Sequence, residues 1–105
     1  MYDVEREDIL NYLKEIKPYF QKKGLLSLAL FGSYSKNSTN TYSDIDIAIK
    51  KDISYLKKQH PYLYFEMINE LKSSIMKRFH KPVDILDIDS TSPFIKHIKK
   101  ELIYV

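Results

Sequence analysis

The chain has 105 residues, 44% of them hydrophobic and 30% charged, which suits one soluble globular domain with a modest core. It contains no cysteine, so disulfides, thiolate metal sites and cysteine nucleophiles are excluded, and a reducing cytoplasmic setting is expected. A net charge of +3, from 17 basic and 14 acidic residues, is too small and too scattered to argue direct nucleic-acid binding.

The start, Met1-Tyr2-Asp3-Val4-Glu5, has neither the basic region nor the apolar core of a signal peptide, and no apolar run approaches the roughly 20 residues of a membrane span. Residues 3–23 predict a helix, because Ile9, Leu13, Ile16 and Phe20 recur at spacings of four and three. Asp3 is the expected N-cap. Lys22-Lys23-Gly24 supplies the stop, and Pro18 is expected to kink or break the second half. Leu25 to Phe31 is a nearly continuous apolar run and predicts a buried strand.

Gly32 to Ser43 is polar and reads as a loop that opens with a short helical turn. Asp44 to Ile49 alternates Asp, Ile, Asp, Ile, Ala, Ile, which is a strand with isoleucines on one face and carboxylates on the other. Lys50 to His60 is a charged connection, with Lys50-Lys51 and Lys57-Lys58 read as solvated faces. Pro61 starts a long amphipathic helix carried by Phe65, Ile68, Leu71, Ile75 and Phe79. Val83 to Ile88 predicts a third strand. Ser92-Pro93 then caps a last helix through Phe94, Ile95, Ile98 and Leu102, and Tyr104 packs in a final short strand. The expected architecture is α/β (α+β), a small mixed sheet with helices packed on one face, forming one domain over residues 1–105.

Two features carry chemistry. On a strand, side chains at i and i+2 point the same way about 7 Å apart, so Asp44 and Asp46 flank one site. Their repulsion is relieved by a hard divalent cation such as Mg²⁺, which takes one or two carboxylates plus substrate phosphates. Asp84, Asp87 and Asp89 are the candidates for a third carboxylate. Asp84 is chosen because it is flanked by Val83 and Ile85 as Asp46 is flanked by isoleucines, and its expected role is general base or further metal ligand. Gly32 and Ser33 directly follow a strand, where a glycine backbone approaches a phosphate closely and exposed N–H groups bind anions. Lys36 adds a point charge. His60, His80 and His97 are read as surface histidines, with His80 at a helix end.

Gly32-Ser33, a ten-residue spacer and Asp44-Ile45-Asp46 together resemble the minimal nucleotidyltransferase (MNT) family of the polymerase-beta superfamily. The segments are Leu30-Phe31-Gly32-Ser33-Tyr34, Ser43-Asp44-Ile45-Asp46-Ile47-Ala48 and Pro82-Val83-Asp84-Ile85-Leu86-Asp87. Phe94 to Tyr104 is similar to that family's closing helix and strand.

The resemblance implies a polymerase-beta-like nucleotidyltransferase fold, ATP as substrate, and two Mg²⁺ ions held by Asp44, Asp46 and Asp84. Gly32, Ser33, Lys36 and Ser43 would contact the nucleotide. Where many members carry Ala-Arg-Gly, this chain has Ser35-Lys36-Asn37, and Glu101 stands where glycine is common.

The family resemblance further implies an antitoxin that transfers AMP to a tyrosine of a partner HEPN ribonuclease toxin. Two other outcomes are transfer to a small molecule such as an aminoglycoside, and inhibition of a toxin by binding alone. A chain of this length leaves little room for an acceptor-binding domain, so the acceptor is expected from a partner or a second copy.

Overall fold

The computed structural model describes residues 4–36, 43–89 and 93–105. Helix α1 (Arg6–Gln21) is preceded by Glu5, whose N–H donates to the Asp8 carboxylate at 3.0 Å. The expected cap, Asp3, lies outside the described residues. Pro18 does not break α1. It sits on the exposed side with Lys14, and buried Phe20 holds the last turn down.

Strand β1 (Leu25–Phe31) falls where the apolar run placed it. Helix α2 (Ser33–Lys36) is the expected helical turn, and β2 (Ile45–Lys51) runs two residues beyond the alternating segment. The charged connection holds a further short helix, α3 (Ile53–Leu56), which starts where the Asp52 side chain accepts the Tyr55 N–H. Helix α4 (Tyr62–Phe79) begins after Pro61 and ends at His80, which takes the left-handed conformation at φ 55°. Strand β3 (Val83–Asp87), helix α5 (Phe94–Ile98) and strand β4 (Ile103–Tyr104) complete the order. Ser92, the expected cap of α5, lies outside the described residues.

The four strands form one mixed sheet in the order β3-β2-β1-β4. β1 pairs antiparallel with β2 and with β4, whereas β2 pairs parallel with β3. The parallel pair needs a long crossover, and α4 supplies it. One face of the sheet carries Leu28, Leu30, Ile45, Ile47 and Ile49, packed against Ile9, Leu13 and Phe20 of α1 and Met67, Leu71, Ile75 and Phe79 of α4. This is the helix-covered face that the isoleucine alternation implied.

The other face carries Ala29, Phe31 and Ala48, and α5 lays Ile95 and Ile98 on them. The two alanines leave room for that close approach. Asp46 lies on this second face, one strand step from Ala48, beside the part that α5 covers.

Candidate active site

Gly32 ends β1 with a positive φ of 76°. A side chain there would be strained, and its Cβ would collide with the carboxylate of Asp46, so glycine is what lets β1 turn across β2 at this point. The turn is braced from several sides. Tyr34 of α2 is buried in the main core, the Arg6 guanidinium donates to the Ser35 carbonyl at 3.0 Å, and the Ser35 hydroxyl donates to the Gly32 carbonyl at 2.9 Å.

The sheet register sets the carboxylates. Asp46 pairs with Phe31 across β1–β2 and with Asp84 across β2–β3. Two carboxylates thus stand side by side on adjacent strands, facing away from the isoleucine layer. Asp44, exposed just ahead of β2, adds a third negative charge close enough to be felt by Asp46. Burial, followed by the charges of Asp84, Asp44 and Glu101, pushes the Asp46 carboxyl up to about 6. Asp87 takes no part: it receives Lys51 at 2.5 Å and the Tyr64 hydroxyl at 2.8 Å. Burial pushes Asp87 up, but Lys51, the Asp89 N–H and Tyr64 outweigh it and hold it below the usual carboxylate range. Lys51, read from sequence as part of a solvated cluster, is therefore tied to β3.

A cleft of about 490 Å³ opens beside these groups. It gathers Gly32, Ser33, Lys36, Asp46 and Asp84 from the sequence reading. Asp44 and Ser43 lie outside its lining.

The remaining wall comes from Phe31, Ile85 and Leu86 of the sheet and from Phe94, His97, Ile98 and Glu101. None of the last four was singled out as a site residue. His97 and Glu101 are four apart, on the stretch whose apolar spacing already marked a helix, but sequence gives no sign of which sheet face that helix covers.

Glu101 reaches across the cleft to the turn. Its carboxylate accepts the Gly32 N–H at 3.3 Å and pairs with Lys36 Nζ at 2.6 Å. The Lys36 ammonium holds Glu101 below the usual carboxylate range, helped by the Gly32 N–H and opposed by burial.

The donor set fits a hard divalent ion. Among the described residues no group of three carboxylates or imidazoles is placed to enclose one. Mg²⁺ needs no such cage, because it is held by one or two carboxylates and completes its shell with water and phosphate oxygens. Burial first, and then the charges of Asp84, Asp44 and Glu101, push Asp46 up, and a cation beside Asp46 and Asp84 would relieve that repulsion.

A mixed sheet that sets paired aspartates beside a glycine turn is the architecture of a nucleotidyltransferase. Residues 14–105 match the family model described as polymerase beta nucleotidyltransferase, and the chain belongs to that family. It is 33% identical over 104 residues to a Methanocaldococcus jannaschii protein assigned as a protein adenylyltransferase, covering 95% of this chain and 93% of that one.

The fold superposes on a structure described as a minimal nucleotidyltransferase with TM-score 0.74, at 15% identity and 98% coverage of both chains. A crystal structure of a toxin–antitoxin MntA–HpeT mutant matches at TM-score 0.57 and 21% identity, over 98% of this chain and 72% of that one. At these identities the likeness is one of fold. The enzyme class and the polymerase-beta-like fold expected from the family resemblance are borne out.

Proposed function

We propose that this nucleotidyltransferase, one domain across residues 1–105, moves AMP from ATP to a hydroxyl of another protein, a tyrosine of a HEPN-type toxin. The observation that carries the chemistry is the side-by-side register of Asp46 and Asp84, one strand step from the Gly32 turn. Two observations support a protein acceptor. The relative at 33% identity is assigned as a protein adenylyltransferase, and fold neighbours include toxin–antitoxin MntA–HpeT structures. Asp84 lines the cleft and is exposed, so a tyrosine carried on a partner can reach it.

In this reading the turn at Gly32 and Ser33 receives the triphosphate, with Lys36 and Ser43 as further polar contacts. Asp44, Asp46 and Asp84 would hold Mg²⁺, which when bound neutralises the triphosphate and lowers the pKa of a hydroxyl beside it. The acceptor oxygen attacks the α-phosphorus, a new P–O bond forms, and the bond to the β-phosphate bridging oxygen breaks. Pyrophosphate leaves, and the acceptor's proton passes to Asp84. Most of the rate comes from positioning and charge neutralisation, as phosphoryl-group chemistry generally requires.

The test is incubation with α-labelled ATP, Mg²⁺ and the toxin that co-purifies or is encoded beside it. Label is expected on a toxin tyrosine, and Asp44→Asn with Asp46→Asn should lower transfer by about 100-fold or more. A double variant that still neutralises the toxin fully in cells would rule out catalysis as the mechanism.

A further inference from the structure

We propose that Glu101 holds the place of the nucleotide's phosphates in the free enzyme and so sets the affinity for the triphosphate, an inference that rests on the nucleotide-binding reading of the same cleft. A phosphate at this turn would take two things: a backbone N–H at Gly32 and a cation at Lys36. Both are already engaged by one carboxylate, at 3.3 Å and 2.6 Å. The geometry is that of an anion on an anion site, supplied by the chain itself.

Glu101 also brings a further negative charge into a cleft that already contains Asp46 and Asp84. A triphosphate entering there meets the like charge of three carboxylates. It cannot take over the Gly32 N–H while Glu101 holds it, and it must share the Lys36 ammonium with the Glu101 carboxylate. Entry therefore requires the Glu101 carboxylate to swing away, and its location makes that easy. Glu101 lies between α5 and the two-residue β4, outside any regular element, so its side chain can turn without unpairing a strand or helix.

The displaced contacts then serve the ligand, and the cost of displacing them is subtracted from binding. Like-charge repulsion and competition for Lys36 act in the same direction. Glu101 thus makes the free cleft reject weak anions and yields only to a ligand that brings several charges and its own cation.

Binding of Mg²⁺–ATP and, separately, of tripolyphosphate with Mg²⁺ is to be measured by calorimetry for the full chain and for Glu101→Gln, Glu101→Ala and Lys36→Met, alone and combined. Removing the charge is expected to tighten both ligands about fivefold or more. Lys36→Met is expected to weaken binding more in the Glu101→Gln background than in the parent, because there Lys36 meets the ligand without first losing its ion pair with Glu101.

Glu101→Gln keeps an acceptor for the Gly32 N–H, so it guards against a folding defect in Glu101→Ala, and unfolding temperatures check both. A merely structural role for Glu101 would loosen binding instead. Unchanged or weaker binding in both folded variants overturns the proposal and leaves the nucleotide reading standing. Failure of the parent and every variant to bind either ligand overturns both.

Discussion

Asp46 is the residue on which the site's electrostatics converge. Its carboxyl is pushed up to about 6 by burial first, and then by Asp84, Asp44 and Glu101. An unfolded aspartate titrates near 3.9, so between those values the folded chain binds a proton that the unfolded chain has lost. The group's favourable contribution is therefore complete below about pH 4 and is lost as pH rises through about 6. Above that, the ionised carboxylate works against folding. Asp46 is partly exposed, so solvent screening reduces the penalty to the order of 1 kcal/mol. In EDTA at pH 7.5, Asp46→Asn should unfold about 4 °C higher than the parent, and the gap should close by pH 4. Thermal melts across that range check it. A gap that is constant with pH would place the effect in packing rather than charge.

At the scale of elements, Pro18 offers the sharpest measurement. It lies inside α1, where it removes one hydrogen bond, yet the helix continues to Gln21. Pro18→Ala restores a donor on an exposed turn and should stabilise the chain by about 1–2 kcal/mol, read from urea unfolding. No gain would mean that α1 bends around Pro18 without strain.

The same helix shows what sequence conveys about elements. β1, β2, α4 and β3 were legible because each has a strong period or an unbroken apolar run. α3 was not: four residues are too few for a period, and its only mark is Asp52 accepting from Tyr55. α5 was legible as a helix but not in its placement. That depended on Ala29 and Ala48 being small enough to seat it on the carboxylate face, which is a fact about volume across two strands rather than about any one segment. For that reason Glu101, noticed only as a departure from a common glycine, could not be connected with Lys36. The contact depends on where α5 lies, and 65 residues of chain separate the pair.

Across the whole molecule, the site belongs to no one segment. Gly32 ends β1, Asp46 lies in β2 and Asp84 in β3, and the parallel β2–β3 ladder that aligns the two aspartates exists only once α4 has crossed over. A ligand that touches all three strands binds the folded chain and not the unfolded one. Its binding energy is therefore transmitted to the stability of the entire sheet. The charge arrangement sets which ligand does this. ATP without a divalent ion brings its phosphates against Asp46, Asp84 and Glu101, and a divalent ion without ATP has few fixed ligands beyond the aspartates. Each alone should move the unfolding temperature by little, about 1–2 °C, whereas the two together at saturation should raise it by about 5 °C or more. EDTA should reverse the combined shift, and Asp46→Asn with Asp84→Asn should remove it even though the first substitution raises the baseline. The non-additivity is the informative quantity. It measures how far the metal and the triphosphate depend on each other in a cleft whose own charge opposes both the bare nucleotide and, through Glu101, its seat on the Gly32 turn. A shift from ATP alone equal to that from Mg²⁺–ATP would show that the nucleotide binds away from the carboxylates and would remove the assignment of this cleft as the active site.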